Sequence, residues 1–223
     1  MSRALDRLLR DIRTCRRCVD APDSAKLPHG PRPVLRVSAT ARLAVVGQAP
    51  GTRVHASGVP FADPSGVRLR TWMGVAEAEF YDEARIAVIP MGFCFPGLDT
   101  AGGDLPPRAE CAPLWRPRLF SLLPQLELVL LVGMYAQRWH LGAECGATLG
   151  ETVRDYRRIL ALSGAPRFLP LPHPSWRNNA WLKHNPWFEA ALLPVLRREV
   201  AALIRPDGNN KPYAPLDRRG GKN

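Results

Sequence analysis

The run Leu43-Ala44-Val45-Val46, leading at once into Gly47-Gln48-Ala49-Pro50-Gly51, restricts the fold more than any other part of the chain. Four apolar residues without polar alternation suit a strand covered on both faces, as in a parallel sheet. Gly47 and Gly51 permit positive φ and leave no Cβ in front of a ligand, and Pro50 stiffens the bend. A rigid loop with few side chains, at the carboxyl end of a central strand, is where open α/β sheets bind ligands. Five residues alone are explained as well by an ordinary strand-to-loop turn. The loop gains meaning only beside the motifs further along the chain.

Three more apolar runs read as strands: Ile86–Ile89, Leu128–Val132 and Phe168–Leu171, after a first strand over 42–47. Between and around them the periodicity predicts helices near 3–14, 67–73, 113–123, 135–141, 148–160 and 187–204, with Pro194 kinking the last or marking its start. Residues 21–38, rich in proline and charge, read as an extended connection. Strands alternating with helices predict a three-layer α/β/α fold around a central four-stranded parallel sheet. Residues 1–205 are expected to form one domain, and the polar, basic 206–223 a disordered tail.

Lys and Arg number 31 against 20 Asp and Glu, a formal charge of +11. That excess suits a polyanionic partner, nucleic acid before membrane, although solvated surface charge explains it too. No stretch has the apolar length of a membrane span; the longest candidate, Leu126–Val132, contains Glu127. Met1-Ser2-Arg3-Ala4-Leu5 lacks an apolar signal core, so a cytoplasmic location is expected.

Four of the five cysteines fall as C-x2-C (Cys15, Cys18) and C-x16-C (Cys94, Cys111). A C-x2-C turn brings two sulfurs to one centre and a distant pair closes it, which suits a 4Fe-4S cluster or a structural zinc. The long second interval is less typical of zinc ribbons. Buried free thiols are the plain alternative, and Cys145 is read as structural.

In this order the residues resemble the uracil-DNA glycosylase superfamily, closest to its iron–sulfur family 4. The resemblance spans roughly residues 5–204. Cys15-x-x-Cys18 is similar to the family's N-terminal cluster pair, and Gly47-Gln48-Ala49-Pro50-Gly51 to its first motif, Gly-Glu-Ala-Pro-Gly. Gly58-x-Pro60-Phe61, with Gly66 five places on, resembles its Gly-x-Pro-Phe segment. Cys94 and Cys111 resemble the remaining cluster ligands, and His173-Pro174-Ser175 the second catalytic motif. The resemblance implies a DNA groove along the strand ends and a structural cluster stapling the N-terminal helix to the loop after the second strand. Both of those segments read as poor in core residues.

Cleaving an N-glycosidic bond needs an extruded base, a place for charge on the departing base, and tolerance of cationic character at the sugar. A neutral His173 can donate to the carbonyl oxygen that gains charge, in the manner of an oxyanion hole. Phe61 offers a stacking face, Gly47, Ala49 and Gly51 allow close backbone approach, and Ser175 suits a phosphate oxygen. Arg177, Asn178, Asn179 and Trp181 extend the second motif toward a loop that enters the duplex, with Trp176 or Trp181 as wedge. Core packing, helix capping and an exposed polar loop are the plain alternatives for these residues.

Two departures matter. Gln48 replaces the motif's Glu, and Ala49 stands where related families carry Asp or Asn; an amide is no general base near neutral pH. Asp63 is the nearest carboxylate in sequence, either facing the sugar or capping the next helix. Pro90 stands where the family reads uracil with Asn, leaving backbone groups of Met91, Gly92 and Phe93, or Gln48, to read the base. The resemblance implies a DNA glycosylase for uracil or a related damaged base, acting on single- or double-stranded DNA; no lysine occupies a motif position suited to a Schiff base, so it is expected to be monofunctional, and a monomer is expected. The alternative is a non-catalytic or covalently trapping binder of damaged bases or abasic sites on the same fold.

Overall fold

A computed structural model describes residues 3–205, Ser24 and Ser163 excepted; the expected basic tail lies outside the described residues. Four strands form one all-parallel sheet: β1 Leu43–Val46, β2 Ile86–Val88, β3 Leu128–Val132 and β4 Arg167–Leu171, in the order β2-β1-β3-β4. All four residues of β1 are fully buried, as the unbroken apolar run requires.

Side-chain alternation along each strand divides the core in two. Ala44, Val46, Ala87, Ile89, Val129 and Leu131 face one layer, which includes helices Arg3–Arg13, Cys111–Ser121 and Met134–Leu141. Leu43, Val45, Ile86, Val88, Leu128 and Leu130 face the other, built on helices Pro64–Met73 and Leu193–Ile204. The fold is the three-layer α/β/α sandwich that the alternation predicts.

Two expectations need adjustment, and the choice left open at Pro194 is resolved as the start of the helix. The helix expected over 148–160 is two, Leu149–Arg154 and Tyr156–Leu160, broken at Asp155. The final helix opens with a π-helical turn, Phe188–Leu192, and becomes α-helical at Leu193, with Pro194 in the first turn where its missing N–H costs least. The N-terminal helix is not poor in core residues. It buries Leu5, Leu8, Leu9 and Ile12, worth about 6–12 kcal/mol in gross apolar burial.

Candidate active site

The loops that leave the carboxyl ends of β1 and β4 open onto one cleft of about 640 Å³. From the first loop come Gly47, Gln48, Ala49 and Gly51, and from the segment after it Phe61 and Asp63. From the loop after β4 come His173, Ser175, Arg177 and Asn178. More than a hundred residues separate the two groups in sequence; the parallel sheet brings them together because β1 and β4 flank β3 with their ends aligned.

Phe61 is held in an unusual state. Its φ of +57° makes it the one non-glycine residue in the left-handed region among those described, a conformation costly for a bulky side chain. Gly66 makes this possible: a Cβ there would stand 1.7 Å from the Phe61 carbonyl oxygen, so no other residue fits. Asp63 caps the helix Pro64–Met73 by accepting from the Gly66 N–H at 2.8 Å, which closes the same turn. The ring then lies against Gly47, whose absent Cβ would be 3.2 Å from Cζ, and meets Phe80 edge-on at 6.0 Å. Of the two expected roles of Asp63, capping is the one visible in its contacts.

His173 is fixed through its backbone, its carbonyl accepting from Asn178 Nδ2 at 2.7 Å. Burial pushes its pKa below the ordinary histidine value, against the pull of Asp63, and the Arg177 charge adds to the depression. The imidazole is thus neutral at physiological pH. Arg68 donates from Nη1 to the Ser175 carbonyl at 3.1 Å and to Asn179 Oδ1 at 2.8 Å, tying the second loop to the helix behind Phe61. Trp176 is 73% exposed at the rim, with the Arg177 guanidinium 5.8 Å from its ring centroid. Trp181 instead packs edge-on against Trp187 and Phe188, so of the two wedge candidates only Trp176 faces outward.

The expected base-reading segment lies elsewhere. Met91 and Phe93 are buried in the core, and neither they nor Gly92 line the cleft, although Pro90 does. Their N–H groups are all engaged: Met91 donates to the Gly47 carbonyl at 2.8 Å, Gly92 to that of Gln48 at 2.9 Å, and Phe93 to Cys111 Sγ at 3.4 Å. Residues just beyond β2 extend the sheet pairing against the first loop and support it from beneath.

Arg53, Arg68 and Asp104 line the cleft and went unread in the sequence. Arg68 is half-buried at the wall. Asp104 reaches the cleft from the long loop after β2. The only local signal for it is a carboxylate directly after Gly102-Gly103.

Cys15, Cys18, Cys94 and Cys111 all line a second, mostly apolar pocket with Ile12, Leu27, Phe93 and Trp115. Burial pushes the thiol of Cys18 up to about 11 and those of Cys94 and Cys111 up to about 12. No group of three or more His, Cys, Asp or Glu among the described residues is placed to hold a metal ion. Beneath lies Arg116, 1% exposed, donating from Nη1 to the Ile89 and Pro90 carbonyls at 3.3 and 2.9 Å and from Nη2 to His140 Nε2 at 2.9 Å. Cys145 sits apart, 3.6 Å from Thr152 Oγ1. No described helix is long and apolar enough to cross a membrane.

The family model described as the uracil DNA glycosylase superfamily matches residues 36–197, which takes in all four strands and both cleft loops.

Proposed function

The chain belongs to the uracil DNA glycosylase superfamily, and from that premise we propose that it is a monofunctional DNA glycosylase of base-excision repair. It hydrolyses the N-glycosidic bond of a flipped uracil or related deaminated base. The observation that carries this reading is the meeting of Phe61 and His173 in one cleft. Phe61 supplies a stacking face over the side-chain-free Gly47. His173, neutral and backed by Asn178, supplies the donor for the carbonyl oxygen of the departing base, where it matters most in the transition state. Arg53, Arg68 and Arg177 line the same cleft and suit flanking phosphates. Trp176 is the side chain placed to fill the space the base leaves.

We further propose an iron–sulfur enzyme of the family 4 kind, with Cys15, Cys18, Cys94 and Cys111 holding a 4Fe-4S cluster. The support is the shared apolar pocket, the Phe93 N–H on Cys111 Sγ and the buried cation Arg116 nearby. Tetrahedral zinc at about 2.3 Å from each sulfur would need the thiols closely gathered; a cluster of four irons spans a wider ligand set. When bound, the cluster is a structural clamp on the loop between Cys94 and Cys111. Brown protein with broad visible absorption bears this out; colourless protein with stoichiometric zinc overturns it.

The test of activity is to incubate the purified chain with single- and double-stranded oligonucleotides carrying uracil, hypoxanthine, xanthine or an oxidised pyrimidine, and then cleave abasic sites with alkali. Release of at least one base, lost in His173→Ala, is expected. If no base is released and a complex stable to denaturation forms instead, the trapping reading replaces this one.

A further inference from the structure

The first motif lacks a carboxylate, since Gln48 and Ala49 occupy the two positions where relatives of this fold carry an acid or an amide that holds water. The cleft nevertheless contains two aspartates, and their contacts separate them. Asp63 is engaged as the helix cap described above, one oxygen bound to the Gly66 N–H. The Asp104 carboxylate makes no hydrogen bond among the described residues, although its backbone is firmly placed. Leu98 and Asp104 pair as an antiparallel bridge, Leu105 donates to the Gly97 carbonyl at 3.0 Å, and Asp99 Oδ1 accepts from the Ala101 and Gly103 N–H groups at 2.9 and 2.7 Å. This small hairpin is tied to the first motif by Gln48, whose Nε2 donates to the Leu105 carbonyl at 3.3 Å.

The carboxylate lies directly over Gly51, where a Cβ would stand 3.2 Å from Oδ2. The first motif therefore has two poles. At Gly47 the missing side chain makes room for the Phe61 ring, and at Gly51 it makes room for Asp104. Four residues span at most about 14 Å, so both poles are within reach of one extruded nucleotide. A base stacked at the Phe61 pole leaves its sugar and the water behind it for the Asp104 pole. Partial desolvation at the cleft rim raises the carboxyl of the otherwise exposed Asp104 above its ordinary value, Asp63 and Asp99 act in the same sense, and Arg177 opposes them.

Resting on the glycosylase reading, we infer that Asp104 is the catalytic carboxylate of this site, holding the attacking water and facing the positive charge that develops at the sugar. In the step, the C1′–N bond breaks with its electron pair leaving on the base, whose carbonyl oxygen His173 stabilises. The water oxygen bonds to C1′ and its proton passes to Asp104, which later releases it to solvent; the base anion takes a proton from solvent. Atoms and charge balance without a further reactant. Asp63 is then a positioning residue, setting Phe61 through the turn that it closes.

The test uses the full chain with Asp104→Asn, Asp104→Glu and Asp63→Asn, each checked for an unchanged melting temperature within a few degrees. Two readouts are taken. Single-turnover uracil release reports the reaction, and Asp104→Asn is expected to slow it by about 10²-fold or more, with partial recovery in Asp104→Glu. Binding to an oligonucleotide carrying a cationic pyrrolidine nucleotide, against the same strand with neutral tetrahydrofuran, reports the charge at the sugar position without any reaction. The wild type is expected to favour the pyrrolidine by about tenfold, Asp104→Asn to lose that preference, and Asp63→Asn to keep it. Asp104→Asn within threefold of the wild type in both readouts overturns the inference, as does loss of the preference in Asp63→Asn alone. A wild type that releases no base yet shows the Asp104-dependent preference would sink the glycosylase reading and leave the carboxylate site standing.

Discussion

The open cleft and the thiol pocket adjoin one another and differ in almost everything else. Pro90, at the end of β2, lines the open cleft, and three residues later Phe93 and Cys94 line the thiol pocket. The cleft is large, half polar and built from loops at the aligned carboxyl ends of β1 and β4. The thiol pocket is small, apolar and built close to its own helix and loop. The contrast implies that one serves the other. Cys94 and Cys111 stand at the two ends of the segment whose middle, the hairpin Gly97–Leu105, carries Asp104 to the cleft. Buried Arg116 works in the same sense from below, gripping the Ile89 and Pro90 carbonyls where the two regions meet.

The largest effect should come from the open region. His173→Ala is expected to lower single-turnover base release by about 10²–10³-fold while oligonucleotide affinity changes little. If affinity collapses instead and the residual rate per bound complex is normal, His173 is a binding group and the comparison loses its catalytic half.

If the four thiols hold the proposed cluster, Cys94→Ser should remove its visible absorption and loosen the loop rather than unfold the domain. By analogy with losing a covalent cross-link, it costs about 2–3 kcal/mol, or roughly 4–12 °C in melting temperature for a chain this size. Limited proteolysis should then cut between residues 94 and 111. Cleavage at the N-terminal helix first would show that the thiols clamp the helix after all.

Acid should act on the wall between the two regions through His140, which accepts the Nη2 donor of Arg116. Burial, with the Arg116 charge beside it, pushes the His140 pKa down to about 3. As pH falls below the ordinary value near 6.5, the unfolded chain takes a proton that the native imidazole refuses. Stability is therefore lost on acidification, from about pH 6.5 down to about 3. The His140 share is about 2 kcal/mol by pH 5. Denaturant titrations at pH 7 and 5 should show that loss, reduced in His140→Gln. An equal loss in the variant would assign it to His55 or His173, whose pKa values are also lowered by burial.

The smallest effect separates the two tryptophans. Trp176→Ala should weaken binding to a base-flipped or abasic duplex by about 1–2 kcal/mol with no change in melting temperature. Trp181→Ala should lower the melting temperature and spare binding by the folded fraction. Reversed results would make Trp181, packed against Trp187 and Phe188, the wedge.

Much of this could be read from the chain itself. The unbroken apolar runs of β1 and β3 meant strands buried on both faces, and the breaks at Gly47 and after Leu171 marked where ligand loops begin, because both signals are local in sequence. Phe61, Gly66 and His173 stood out only through the resemblance of their motifs to those of the family, in order along the chain. The N–H groups of Met91, Gly92 and Phe93, expected at the base, are engaged by Gly47, Gln48 and Cys111 instead, since nothing local tells whether a backbone N–H just past a strand continues the ladder or faces a cleft. Asp63 and Asp104 show the same limit. One lies beside the motif and is engaged as a cap, while the other lies far along a proline-rich loop and faces the cleft. Hydrophobic period and turn chemistry, short-range in their physics, set the sheet and its loop ends. Which carboxylate, which tryptophan and which backbone groups meet at those ends was settled only when a hairpin and two distant loops packed against one another, because that packing depends on contacts between residues dozens of positions apart.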